Sequence, residues 1–397
     1  MVYIRSFCLV GCLCLAAVAN RAAAAQVEST TDTTTSSSPA AYVYVSFTEK
    51  NSSVNEIAGY AAAADGSLTP LPGSPYTADV TTMAVNGKYL FAANKNNVDI
   101  SAYHIADNGA LALWQQTDVA RFNYGDCGTS GPLFVDRAGK TLYDMEFDGN
   151  QCANNKYESL AIDSANGSLK PIGSSTYTRW LYQAASFTGS NQYAYSVACN
   201  GDMYWAIFGE QRTSNGVLTP IKNFQASLPA AKSGDFWCPA QAAADPTTHV
   251  AMVIQPVNGS TFSADGEARL ASFTAAANGN LSTTNTAANM PGTLVGTPLS
   301  SSISPDGKLL AVGGSSGLQI FHFHGANAPT KFTNLIKVVE IDQMFWDNQN
   351  HLYAISRPTG RLFVFTITPT SVTEAPGSPH ELNDVHNLTV QTLPLPR

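Results

Sequence analysis

From about residue 41 onward, short runs of alternating apolar and polar residues follow one another, each closed by a Gly, Asn or Asp turn. The stretch SSISPDGKLLAVGGSSGLQIFHF from Ser301 is one instance. Two apolar runs flank an Asp-Gly turn, and a third begins after a glycine-rich gap. Period-two alternation around such a turn predicts a β-hairpin. The same hairpin recurs as MAVNGKYLFAA from Met83, LFVDRAGKTLYDM from Leu133, ASFTGSNQYAYSV from Ala185, AAADPTTHVAMVI from Ala242 and QMFWDNQNHLYAI from Gln343. A second hairpin alternates with it, from AGYAAAADGSLTPL at Ala58 to LFVFTITPTSVTEA at Leu362.

Six complete copies of the first hairpin and seven of the second reconcile if one copy is split. NLTVQ from Asn387 then supplies an inner strand and AYVYVSF from Ala41 the strand beside it. The pattern predicts an all-β fold, a seven-bladed β-propeller whose closing blade is shared by N- and C-terminal strands. Closure removes the open sheet edge that a linear array would present. Two sandwiches in tandem are the rival all-β arrangement, but they predict no repeat running through the whole chain. Helical periodicity is absent, since alanine-rich stretches such as AAAADG end at once in turn residues.

The first residues break this pattern. MVYIRSFCLVGCLCLAAVANRAAAAQ has a basic start, an apolar run from Phe7 to Val18 and small residues after it, so residues 1–25 read as a secretory signal peptide. The run is too short to span a bilayer. A lipid anchor at Cys12 is the other reading of LVGC. Residues 26–40, with VESTTDTTTSSSPA, carry almost nothing apolar and read as a disordered polar linker, leaving 41–397 as the propeller. A secreted or periplasmic location follows.

Charge narrows the partners. Lys and Arg number 21 against 29 Asp and Glu, a net −8. Loss of Arg5 and Arg21 with the leader takes this to about −10, which repels a phosphate backbone. Nucleic acid is excluded as a partner, no transmembrane span is expected, and a monomer without cofactor is anticipated. The leader holds Cys8, Cys12 and Cys14, leaving Cys127, Cys152, Cys199 and Cys238. An even number in an exported chain suggests two disulfides, Cys127–Cys152 and Cys199–Cys238 by loop position. No CxxC pair exists, and no metal site is expected.

In each blade the turns joining the first to second and third to fourth strands share one face. The remaining connections share the other, and the longer, chemically richer segments fall there. These include EFDGNQCANNK from Glu146, YTRWLYQA from Tyr177, LPAAKSGDFWCPAQ from Leu228, SRPTG from Ser356 and HELNDVHN from His380. Aromatics beside Arg and carboxylates suit a ring-shaped polar ligand, so Trp180, Tyr182, Phe236, Trp237, Arg357, His380 and His386 are candidate binding residues. Trp180 and Trp237 equally suit packing between blades. His322 and His324 alternate on one strand with no third metal ligand near them in sequence.

DGSLTPLPGSPY from Asp65, its echo APGSPHEL from Ala375, and SPDGKLLAVG together resemble the lactonase-type seven-bladed propeller family. That family includes bacterial 6-phosphogluconolactonases and fungal carboxymuconate lactonizing enzymes; YVTN-type surface propellers share the strand pattern. The resemblance implies lactone hydrolysis, for which a base, an oxyanion donor and a cation are needed. Its members carry an HxH segment entering the third blade and DLGxD after it. Here CGTSGPLFVD lacks histidine, and DMEFD keeps only Asp144 and Asp148. Glu146 and Asp148 as base and Arg179 as cation are the catalytic candidates. Two readings follow: a non-catalytic propeller binding a carbohydrate, surface glycan or protein, and a hydrolase opening a small-molecule sugar lactone.

Overall fold

The computed structural model describes residues 38–94, 99–118, 131–148, 154–177, 183–200 and 204–393. Seven antiparallel sheets form a seven-bladed β-propeller, and none of the described residues is helical. Strands are lettered a to d from the axis outward. Blade one takes strand a from Asp384–Thr392 and strands b to d from Ala41–Thr48, Asn55–Ala62 and Leu68–Pro70. Blade two is Val80–Val85, Tyr89–Asn94, Asp99–Ile105 and Leu111–Asp118; blade three is Leu133–Val135, Thr141–Asp148, Asn154–Ile162 and Leu169–Tyr177. Blade four is Ser186–Phe187, Tyr193–Asn200, Tyr204–Arg212 and Leu218–Pro220; blade five is Asp235–Ala244, His249–Asn258, Arg269–Ala275 and Leu281–Ser282. Blade six is Pro298–Ile303, Leu309–Gly314, Gly317–His324 and Asn327–Lys331; blade seven is Gln343–Trp346, His351–Ser356, Arg361–Ile367 and Val372–Glu374.

The split blade is as the hairpin count requires. Ala41 faces Thr392 and the pairing runs antiparallel to Thr48 opposite Asp384. The two copies of PGSP sit in equivalent corners of blades one and seven. There Ser74 Oγ accepts the Gly59 N–H and Ser378 Oγ the Val364 N–H, so each outer strand resumes after the kink.

Both faces of each blade are buried, which explains the continuous apolar runs of the b strands. In Ala41–Thr48, Val43, Val45 and Phe47 turn toward blade seven while Tyr42 and Tyr44 turn toward blade two. The described residues form seven apolar clusters, one at each interface between neighbouring blades. The core is thus a ring of wedges, each stabilised by area removed from water.

Two polar devices recur between these wedges. On the axis, an inner strand presents N–H groups that its own blade does not pair, and a side chain of the preceding blade accepts them. Gln343 Oε1 accepts from Leu388, Asn387 Oδ1 from Met83, Thr82 Oγ1 from Leu133 and Ser186 Oγ from Ala244, at 2.7–3.1 Å. Further out, b-strand phenols donate to the glycine carbonyl of the next blade's c–d turn. Tyr44 reaches Gly109, Tyr143 reaches Gly216 and Tyr195 reaches Gly279, at 2.7–2.8 Å. Gly109 has φ +81° and a Cβ there would lie 2.5 Å from the Tyr42 ring, so both conformation and space demand glycine. Burial pushes the Tyr143 phenol up to about 12, which keeps it a donor at any physiological pH.

Replacing Asn387 by Ala strands the buried Met83 N–H. We expect a loss of about 1–3 kcal/mol, read as a lower urea midpoint with unchanged slope; an unchanged midpoint would refute the role given to the axial bonds.

Candidate functional site

The b–c turns and d–a connections gather on one face of the propeller, and two regions of it carry chemistry. The first lies between blades seven and one. The b–c turn of blade seven delivers Arg357, and the start of the inner strand of blade one delivers Asp384 and His386. The end of the next strand adds Thr48. With Ser52, Ser53, Asn55 and Thr81 they line an open recess of about 520 Å³. Every residue that lines it carries a polar side chain.

Hydrogen bonds fix its geometry in a chain. Asn55 Nδ2 donates to Val80 O at 2.9 Å, so Asn55 Oδ1 faces Thr48 and accepts its hydroxyl at 2.9 Å. With its proton committed there, Thr48 Oγ1 accepts from His386 Nε2 at 2.6 Å. The network therefore assigns the proton of the neutral ring to Nε2 and the lone pair to Nδ1. Asp384 Oδ2 stands 3.9 Å from the same nitrogen. Arg357 is held from two sides: its backbone N–H donates to Asp342 Oδ2 at 2.8 Å and its Nε to His386 O at 3.1 Å. The exposed guanidinium thus sits at the rim, beside hydroxyls and an imidazole.

The second region surrounds blade five. Cys199, on strand b of blade four, and Cys238, on strand a of blade five, form a disulfide with Cα atoms 5.2 Å apart. It stitches two blades at the face where loops are longest. Beside it, Gln183, Gln241, Gln255 and Phe262 help to line a cavity of about 360 Å³. Phe236 lies next to it, its ring 6.4 Å from that of Phe262. Trp237, only 5% exposed, belongs to the apolar cluster between blades four and five. It also forms part of the wall of a smaller cavity with Lys232, Asp235 and Asp265.

The remaining sequence candidates are dispersed. Glu146 and Asp148 end strand b of blade three, opposite Lys156 and Asn154, and their side chains lie outside the described part. Arg179, Trp180, Tyr182, Cys127 and Cys152 lie outside the described residues. His380 is not in the recess with His386. It pairs with Leu362 at the outer edge of blade seven, and its ring is 5.6 Å from Tyr60 of blade one. His322 packs on Phe332 at 4.5 Å and His324 Nε2 meets Thr330 Oγ1 at 2.8 Å, so both are engaged within blade six. Among the described residues no group of three or more His, Cys, Asp or Glu is placed to hold a metal ion. No helix among them is long and apolar enough to cross a membrane.

Thr48, Asn55, Asp384 and the three glutamines were not singled out from the sequence. Thr48, Asn55 and Asp384 occupy strand ends, Gln241 and Gln255 lie within strands and Gln183 in a connection, and in none of these places does a lone polar residue carry a motif. Position would have found two of them: aligning the hairpin copies marks the last residue of each b strand, here Thr48, and the first of each a strand, here Asp384, as lining this face.

No protein-family model matches the chain, and no curated protein matches it. Solved structures do. A 6-phosphogluconolactonase candidate from Bacteroides uniformis superposes with a TM-score of 0.61 at 12% identity, covering 88% of this chain and 99% of that one. The periplasmic gluconolactonase of Pseudomonas aeruginosa gives 0.61 at 14%, covering 89% and 99%. A hypothetical selenium-binding protein from Sulfolobus tokodaii gives 0.59 at 11%, covering 89% and 94%. The likeness to 6-phosphogluconolactonase-like propellers is one of fold, and a fold alone does not set the chemistry.

Two outcomes test this geometry. The Cys199–Cys238 bridge closes a span of 39 residues, and loop-closure entropy values such a bridge at about 3–4 kcal/mol. A C199S/C238S variant should unfold at correspondingly lower denaturant; an equal midpoint would mean that the bridge constrains nothing. Burial lowers the His380 pKa below its ordinary 6.5. The unfolded chain then takes up the proton first, so the stability contributed is complete above about pH 6.5 and declines as pH falls through that value toward the folded one. His380→Phe should flatten that decline in melting temperature; an identical pH profile for the variant would remove His380 as its source.

Proposed function

We propose that this chain is an exported propeller that binds a small sugar-type ligand bearing an acid group, a sugar acid or its lactone, in the recess between blades seven and one. One observation carries the reading: Arg357 and His386 converge there from different blades, among residues whose side chains all end in hydroxyl, amide, imidazole or charged groups. Hydroxyl groups of a sugar both donate and accept, and Thr48, Ser52, Ser53 and Asn55 answer them in kind. A guanidinium fork suits a carboxylate at one end of such a ligand. Export is supported by the basic, apolar and small-residue order of residues 1–25 and by the Cys199–Cys238 bridge.

A second reading, hydrolysis of the lactone, is favoured by His386 and Arg357 lining the same recess and by the names of the two similarly folded proteins. In it water adds to the ring carbonyl while His386 takes its proton and Arg357 faces the developing oxyanion. The ring C–O bond then breaks, the proton passes to the released alkoxide, and a hydroxy acid leaves.

Calorimetric titration with gluconate and glucose separates these readings from neither being right. We expect gluconate to bind at least ten-fold tighter than glucose, Arg357→Ala to lose that preference, and Arg357→Lys to keep only part of it. Consumption of glucono-δ-lactone in a pH-stat above the spontaneous rate, lost in His386→Asn, would establish turnover. No gluconate binding by the folded chain would sink both.

A further inference from the structure

Blade five carries a second, longer feature on the same face. The small cavity beside Trp237, about 200 Å³, shares Gly266 and Glu267 with a neighbour of about 580 Å³, and that neighbour shares Gln255, Ala264 and Thr297 with the cavity beside the disulfide. The three form one groove curving around the b–c turn of the blade. Two polar residues of its wall are more than nine-tenths buried and, among the described residues, each has a donor with no hydrogen-bond partner. Trp237, 5% exposed, keeps its indole N–H unpaired, and Thr293, 3% exposed, its hydroxyl. A buried donor left unpaired costs about 1–3 kcal/mol, and two in adjacent compartments of one groove point to a ligand that supplies their partners.

The groove's other groups say what that ligand is. Asp235 and Glu267 accept, Gln241 can donate and accept, and Gln183 and Gln255, whose amide nitrogens donate to Ala240 O and Gly266 O, offer their oxygens; Phe262, 37% exposed, offers flat apolar surface. A chain of rings with hydroxyls at regular spacing meets all of these at once. Charge disfavours an acidic one. Lys232 is engaged by Asp265 at 3.2 Å and Arg269 by the Ala287 and Met290 carbonyls, on a chain of net charge −8. The groove is also longer than one sugar needs, since the first compartment alone equals about seven waters at ~30 Å³ each.

We infer that this groove binds a linear neutral oligosaccharide, seated along blade five from Trp237 past Thr293 to Phe262. The inference does not require the Arg357 recess to bind anything.

Calorimetry on the purified chain with cellohexaose, xylohexaose, mannohexaose and glucose tests it. At least one hexasaccharide should bind ten-fold or more tighter than glucose. Trp237→Phe, which keeps the ring and removes the N–H, should weaken it about ten-fold, and Thr293→Val about three-fold, with melting temperatures near that of the unsubstituted chain. If Trp237→Phe does not fold, Thr293→Val and Glu267→Gln carry the test. Arg357→Ala should leave hexasaccharide binding unchanged. No saturable binding of any hexasaccharide, or binding untouched by the groove variants, overturns the assignment and leaves the groove to water. Binding abolished by Arg357→Ala overturns it too, because the ligand would then sit between blades seven and one.

Discussion

Seven sheets brought edge-on to one axis leave a ring of inner-strand N–H groups with no strand to pair them, and everything else in the fold depends on how these are satisfied. Each is a buried donor that would cost more than most single contacts return. The solution is lateral: Gln343, Asn387, Thr82 and Ser186 each lend an oxygen to the inner strand of the following blade. A blade therefore completes its neighbour's hydrogen bonding before its own. Arg137 extends the idea on the turn face, donating to Phe187 O and Asp245 O and so joining blades three, four and five. With the axis satisfied, the apolar wedges and the tyrosine contacts to Gly109, Gly216 and Gly279 need only maintain spacing.

Most of the architecture was legible because strand periodicity and turn chemistry are local. The Asp-Gly and Asn-Gly turns marked the hairpins, and the count of copies forced the Asn387 and Ala41 segments into one blade, where Thr392 and Ala41 indeed pair. The Cys199–Cys238 bridge followed from loop neighbourhood. The face chemistry was legible only in part. Arg357 and His386 stood out as uncommon charged residues in loops, yet nothing local ties them together. Their meeting depends on a turn of blade seven and a strand start of blade one lying side by side after closure. His380 shows the converse: six residues from His386, it is carried to the outer edge of blade seven, because the strand pairing of Leu362 decides its place. Trp237 was readable either as a binding or as a packing residue, and it both packs in a wedge and lines a cavity.

The two polar regions illustrate how a propeller separates stability from chemistry. Blade interiors consume the alternating apolar residues, and the plain-face turns use short Gly and Asp sequences. Strand ends on the other face are then left to vary without disturbing either. The recess of Arg357 and His386 is built from such ends and the turns beside them, and the groove of blade five from the connections around its sheet and the Ser315–Ser316 turn of blade six. A fold of this kind accepts new ligands chiefly by exchanging residues in its loops and at its strand ends.

The pairing of Ala41 with Thr392 has a mechanical side. The two strands run antiparallel and both leave blade one at the same corner. Traction applied between the ends of the propeller would load their transverse hydrogen bonds one pair at a time, as in opening a zip, instead of shearing all of them together. A closed ring is thus weakest along the one line where its circumference was sewn, and a pull at that corner would unwind it blade by blade.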